Sequence, residues 1–151
     1  MEKILVSSCL LGTPVRYDGS GQKLVHPQIT TWQSQGVIIP LCPEVAGGLS
    51  TPRAPAEIIH DKVVTNAGED VTVAFKLGAQ KALQLCLHHN IRFALLKESS
   101  PSCGRNSIYD GSHRGIKVTG MGVTAALLAN NDIKVFSEQQ MPALIKALAQ
   151  C

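Results

Sequence analysis

Four short runs of branched and aromatic residues, separated by segments with helical spacing, constrain this chain most strongly. The runs lie at 3–6, 36–41, 91–96 and 133–136, and polar or turn-forming residues bound each of them. Nearly continuous apolar strands that alternate with helices form parallel sheets covered on both faces. We therefore expect an α/β fold: a single domain over 1–151 with an open, mostly parallel sheet of four or five strands and helices on both faces, Rossmann- or flavodoxin-like.

The segments between the runs predict the helices that cover this sheet. Apolar residues recur at three- and four-residue spacing in 70–89. Shorter helices are predicted over 26–34 and over 122–130, after the glycines of G-M-G. A last helix is predicted to begin at Ser137, because Gln140 follows three residues later in a capping-box pattern. Each crossover between parallel strands should be right-handed.

Composition and charge narrow the classes of partner. A hydrophobic fraction of 44% and a charged fraction of 17% allow a buried core. Only 4% of residues are aromatic, so we expect no stacking platform for polymeric nucleic acid, and a net charge of +3 suits a small anionic or neutral substrate. No apolar stretch is long enough for a signal peptide or a membrane span, which favours a cytoplasmic protein with reduced cysteines.

A cysteine follows each of the first three predicted strands. These residues are Cys9, Cys42 and Cys103. The carboxyl ends of parallel strands share one edge of the sheet, where ligands bind, so the three thiols can meet there. Three thiolates suit zinc with a water ligand, or a 4Fe–4S cluster with one open iron, and the long spacings do not choose between them. The alternative is that each cysteine is a small buried hydrophobe.

Polar residues beside these cysteines are candidates for the chemistry. Glu44 follows Cys42 by two residues and could shuttle protons or activate water, or remain a solvated loop residue. Ser100 and Ser102 could orient a substrate or only form a turn. Arg53 could hold an anionic group or form a structural salt bridge.

Other candidates favour structural roles. Cys86 lies on the apolar face of the predicted long helix, which indicates core packing, and Cys151 is terminal and dispensable. Lys97 and Glu98 are predicted to pair with each other or with Arg53.

Six motifs together resemble a known bacterial family, the thiouracil desulfidases. They are S-S-C-L-L-G-T-P-V-R-Y-D-G, L-C-P-E-V-A-G-G-L-S-T-P-R-A-P-A-E, L-L-K-E-S-S-P-S-C-G, I-Y-D-G, G-M-G-V-T-A-A-L-L and V-F-S-E. They run from the start of the chain almost to its end. The resemblance implies an enzyme that converts 2-thiouracil and related thiolated uracils to uracil and hydrosulfide without net redox chemistry.

The resemblance also implies a cofactor and roles for the candidate residues. A 4Fe–4S cluster would be held by Cys9, Cys42 and Cys103, with its fourth iron open to the substrate sulfur. Glu44 matches the acid–base residue, and a serine assists, with Ser100 favoured over Ser102. The substrate would be a small thiolated pyrimidine. Relatives with an added C-terminal domain act on thiolated nucleosides, so the lack of that extension favours the free base.

Two other functions remain open from the residues alone. One is a non-catalytic iron–sulfur binding or sulfide-sensing module, and the other is a zinc or thiol hydrolase. The oligomeric state is open between monomer and homodimer.

Overall fold

A four-stranded parallel sheet forms the centre of the molecule, as the alternating runs predict. The computed structural model describes residues 2–150. The strands are β1 (Ile4–Ser7), β2 (Ile38–Leu41), β3 (Ala56–Ile59), β4 (Lys62–Thr65), β5 (Phe93–Leu96), β6 (Ser107–Tyr109), β7 (Lys117–Thr119) and β8 (Lys134–Ser137). The central sheet has the order β2-β1-β5-β8 with every pair parallel, which confirms the predicted fold class.

Five α-helices complete the fold. They are α1 (Pro27–Ser34), α2 (Pro43–Ala46), α3 (Thr72–His88), α4 (Val123–Ala129) and α5 (Met141–Ala149), with 3₁₀ turns at Ser8–Leu11 and Glu138–Gln140. The predicted capping box at Ser137 is present, but it caps the second 3₁₀ turn, and α5 begins only at Met141. Pro142 explains this shift, because it lacks the N–H that an α-helix starting at Glu138 would need.

Successive residues of β1 face opposite layers of the core. Ile4 and Val6 pack with α1 and α5, whereas Leu5 packs with α3 and α4. Both faces of the sheet are therefore covered, which is why its strands are mostly apolar. Within residues 2–150, no helix combines the length and the apolar character needed to cross a membrane.

The strand order locates a crevice. From β1 the chain moves to β2 on one side, and β5 lies on the other side of β1. Such a reversal separates the crossover connections and leaves a binding crevice at the carboxyl ends of the strands. Two antiparallel hairpins, β3–β4 and β6–β7, lie outside the central sheet, and β3 packs against β6.

Two glycines bring α2 close to α3. A Cβ on Gly78 would overlap the carbonyl oxygen of Pro43, and a Cβ on Gly47 would overlap that of Ala74. The helix that follows β2 is thus seated directly on α3, which fixes the position of Glu44 at the crevice.

Candidate active site

A cavity of about 580 Å³ opens at the carboxyl ends of β1, β2 and β5. Its walls include Cys9, Cys42, Glu44, Ser100 and Cys103. Five of the six site residues predicted from the sequence therefore meet at one place.

Cys9 is held in the 3₁₀ turn that directly follows β1. Gly12 ends the turn with a φ of 92°, a conformation that favours glycine. The Cys9 carbonyl accepts hydrogen bonds from the N–H groups of Gly12 at 3.1 Å and Gln22 at 2.8 Å. This backbone pairing fixes the residue at the edge of the cavity.

Cys42 and Glu44 reach the cavity from the start of α2. Cys42 is the N-cap, and Pro43 occupies the first turn, where its missing N–H costs nothing. The Cys42 thiol donates to the carbonyl oxygen of Val15 at 3.9 Å. The segment after Cys9 therefore contacts the second cysteine directly.

Cys103 lies in the loop that follows β5 and is buried. The Ser100 hydroxyl accepts the backbone N–H groups of Ser102 and Cys103, each at 3.1 Å, which shapes the turn. The Ser7 hydroxyl lies 3.5 Å from Cys103 Sγ and accepts the N–H of Lys97 at 3.0 Å. Because the Ser7 oxygen already accepts the Lys97 N–H, its O–H group donates a hydrogen bond to the sulfur.

A buried carboxylate, Glu98, organises the same loop. Its Oε1 accepts backbone N–H groups from Ser99, Arg105, Asn106 and Ser107 at 2.9–3.2 Å. Its Oε2 accepts the Asn106 side chain at 2.8 Å. Burial alone would raise the pKa of Glu98, but these hydrogen bonds outweigh it and lower the pKa to about 2.

The three thiols have pKa values above the ordinary value for cysteine. Burial, reinforced by the neighbouring Cys42, raises the pKa of Cys9 to about 11. Burial raises the pKa of Cys103 to about 12, and it also raises that of Cys42. These thiols are therefore protonated at neutral pH, unlike the thiolate of a nucleophilic cysteine enzyme. A metal centre that binds them must displace their protons.

The arrangement of the donors fits a cluster better than a single ion. Among residues 2–150, no three Cys, His, Asp or Glu side chains are placed to chelate one metal ion. Zinc needs its sulfur ligands to converge at about 2.3 Å from one point. An iron–sulfur cluster binds each thiolate through a different iron, so it accepts ligands spread around a cavity. Three thiols on the walls of one cavity meet that requirement.

Glu44 is bound through both carboxylate oxygens. Arg53 Nε lies 3.1 Å from Oε1 in an ion pair whose side chains are 8% and 16% exposed. The Ser100 hydroxyl lies 3.5 Å from Oε2. The arginine therefore forms the salt bridge that the sequence left as one of two alternatives, and its partner is the candidate acid–base residue.

Ser102, the sixth predicted residue, lies elsewhere. It is buried, and its hydroxyl pairs with that of Thr124 at 2.8 Å, outside the cavity wall. Lys97 forms its ion pair with Glu138 at 2.9 Å, and it contacts Glu98 only through the backbone carbonyl, to which its Nζ donates at 3.0 Å. The partner is 41 residues along the chain, on the turn after β8, where sequence spacing gives no signal.

Cys86 is completely buried in the core beside α4, as its position on the helix face predicts. The prediction for Cys151 falls outside the described residues.

Sequence reasoning missed the hairpin that forms part of the cavity wall. Tyr109 and Lys117 from β6 and β7 line the cavity, with Lys117 Nζ 5.7 Å from the Tyr109 ring centroid. Glu57 anchors the hairpin by accepting the N–H groups of Gly111 and His113 at 3.0 and 3.2 Å. The strands have three residues each and little apolar alternation, so the only local signal was the turn-rich sequence between them.

Comparison with known proteins decides the family. The family model for 2-thiouracil desulfurase matches residues 4–140. The chain belongs to the 2-thiouracil desulfurase family. The resemblance indicated by the sequence motifs is thereby confirmed.

This member of the desulfurase family is similar to a solved structure and to a Bacillus protein. A solved structure of the [4Fe-4S]-dependent thiouracil desulfidase TudS is 52% identical, with a TM-score of 0.99 and complete coverage of both chains. The Bacillus subtilis (strain 168) protein YbbK is 44% identical over 148 residues, which cover 91% of this chain and 97% of YbbK. The agreement with the TudS structure confirms the fold over its whole length.

Proposed function

We propose that this protein removes sulfur from 2-thiouracil and related thiolated uracils, and that it releases uracil and hydrosulfide without net redox change. Family membership supports the reaction class. The observation that carries the proposal is a single cavity, at the edge of the sheet, that collects three thiols together with Glu44 and Ser100. The similar TudS structure bears a [4Fe-4S]-dependent desulfidase name, which supports the same cofactor here.

Cys9, Cys42 and Cys103 would hold a 4Fe–4S cluster, which leaves one iron without a protein ligand. When bound, the cluster supplies a soft Lewis acid that suits the soft sulfur of a thiocarbonyl group. The Ser7 hydroxyl would donate to the Cys103 thiolate and stabilise its charge.

Glu44 would carry the proton transfers. Exchanging the thiocarbonyl sulfur for oxygen consumes one water and yields hydrosulfide and one proton, which passes to solvent. The carboxylate can take a proton from the water that adds to the ring carbon and return it as the sulfur leaves. Its Oε2 lies beside Ser100 at the cavity wall, and Ser100 orients both this oxygen and the turn that holds Cys103.

This constellation favours catalysis over a sulfide-sensing module. A sensor needs only the ligands, whereas Glu44 is oriented from two sides at the same cavity. Such pre-organisation of an acid–base group is what catalysis requires.

The ligand assignment is tested by quantifying iron and sulfide after anaerobic purification. We expect the wild type to hold close to four irons per chain, and a variant with serine at positions 9, 42 and 103 to hold almost none. Cys86→Ala is the matched control, because Cys86 lies in the core away from the cavity and its loss should leave iron unchanged. Iron retained by the triple variant would refute the assignment.

The acid–base role is tested in Glu44→Gln, which preserves the shape of the side chain. We expect full iron content and a loss of turnover of roughly 10²–10⁴-fold. Unchanged turnover of 2-thiouracil in a variant that keeps its cluster would refute the role of Glu44.

A further inference from the structure

The Arg53 guanidinium makes four hydrogen bonds in the cavity wall. Besides Glu44, it donates from Nη2 to the carbonyl oxygen of Val15 at 2.9 Å. Its Nη1 donates to the carbonyl oxygen of Ser50 and to the hydroxyl of Thr51, both at 3.0 Å. The side chain is only 8% exposed, so the surrounding chain fixes its position.

This set of acceptors decides how Arg53 meets Glu44. A guanidinium usually binds a carboxylate through two parallel hydrogen bonds. Here Nη2 donates to Val15, and Glu44 receives one bond, from Nε to Oε1 at 3.1 Å. Oε2 is left for the Ser100 hydroxyl and the cavity. Arg53 thus holds one carboxylate oxygen of Glu44, and the other oxygen faces Ser100 and the cavity.

A second cavity lies on the other side of Glu44 and Arg53. It has a volume of about 200 Å³, and Glu44 and Arg53 line it as well as the main cavity. A carboxylate freed from Arg53 has open space into which it can turn away from Ser100. The ion pair therefore holds Glu44 with Oε2 towards Ser100.

We propose that Arg53 is a positioning residue, which anchors Glu44 through Oε1 and directs Oε2 to the reacting centre. This inference rests on the proposed function, in which Glu44 moves the proton. Arg53 contacts neither substrate nor cluster in this role and acts only through Glu44. Lysine cannot replace it, because one ammonium group lacks the planar fork that reaches four acceptors on three segments.

The test compares Arg53→Lys with the wild type, both loaded with iron, in steady-state turnover of 2-thiouracil. We expect kcat to fall roughly 10- to 100-fold, the cost of a misplaced catalytic group, while KM stays within about twofold. Iron per chain and the thermal midpoint should match the wild type. In a Glu44→Gln background, adding Arg53→Lys should lower kcat by less than about twofold, because the residue through which Arg53 acts is already disabled.

Arg92→Lys is the matched control. Arg92 forms an ion pair with Glu2 at 2.6 Å, beside the amino end of β5 and away from the cavity. This substitution should leave kcat unchanged. A crystal structure of Arg53→Lys gives a readout independent of turnover, and we expect Glu44 Oε2 to have moved away from Ser100.

The outcomes separate this inference from the proposed function. If the wild type releases no uracil, the proposed function fails and the inference falls with it. If the wild type is active, three results overturn the inference alone: an unchanged kcat in Arg53→Lys, a loss of iron or thermal midpoint that accounts for the lost activity, or full additivity with Glu44→Gln.

Discussion

Replacing Glu98 with glutamine removes the charge that organises the loop carrying Cys103. The carboxylate accepts four backbone N–H groups and one side-chain amide from residues 99–107. An amide oxygen is a weaker acceptor than a carboxylate, and the new NH₂ group faces the Asn106 amide donor. We therefore expect the loop to lose much of its stabilisation.

The magnitude follows from the pKa of Glu98. A value of about 2 in the folded protein, against an ordinary value of 4.5, corresponds to about 3 kcal/mol of stability from the ionised carboxylate. Solvent reaches the Asn106 side of the loop and screens part of this interaction. We expect Glu98→Gln to lower the free energy of unfolding by about 2–3 kcal/mol at pH 7.

The pH dependence has a definite sign. Because folding lowers the pKa of Glu98, its contribution is complete above about pH 5 and is lost as the pH falls from 4.5 towards 2. The difference between wild type and variant should therefore shrink on acidification, with about a quarter of it gone at pH 4.

Urea unfolding followed by circular dichroism at pH 7, 5 and 4, combined with iron quantitation, measures both effects. Glu69→Gln is the control, since Glu69 is an exposed glutamate. We expect the Glu98 variant to bind less iron, because its loop holds Cys103. Equal stability of wild type and variant at pH 7, or a difference that grows towards pH 4, would refute the reasoning.

Further predictions concern the packing of α2 and the surroundings of Cys103. Gly78→Ala should destabilise the protein by about 1–3 kcal/mol in urea unfolding, because its methyl group overlaps Pro43 in α2, and an unchanged midpoint would show that α2 can move freely. Ser7→Ala should shift the visible absorption of the bound cluster and shorten its lifetime in a chelator several-fold, because it removes the hydroxyl donor to Cys103 Sγ. Thr124→Val removes a buried hydroxyl that pairs with Ser102, and it should change neither the spectrum nor the cluster lifetime. A Ser7→Ala spectrum identical to that of the wild type would exclude the hydrogen bond from Ser7 to Cys103.

The central sheet was predictable because its signals are local. Each strand is a short, mostly apolar run, and the long helix shows its own period, so no distant contact was needed to find them. The meeting of Cys9, Cys42 and Cys103 followed from the same reasoning, since strand ends share an edge in any open parallel sheet. The sequence motifs then identified the family to which the chain belongs.

The remaining features depend on contacts between distant segments. The alternative roles of Arg53 could be separated only once the loop 47–55 had folded back against α2 and Val15. Ser100 and Ser102 lie two residues apart in one turn, and only its path shows that Ser102 points to Thr124. The β6–β7 hairpin has too few apolar residues to be recognised from the sequence. It is anchored by hydrogen bonds to Glu57, a residue about 50 positions earlier in the chain.

The most direct test of the central claim is turnover of 2-thiouracil by anaerobically reconstituted protein, with uracil and hydrosulfide measured in the same samples. We expect both products to appear in a 1:1 ratio over many turnovers without an added oxidant or reductant, and Glu44→Gln with full iron content to slow the formation of both by roughly 10²–10⁴-fold. Failure to form uracil in protein with a complete cluster, or a strict need for an external electron donor, would contradict it.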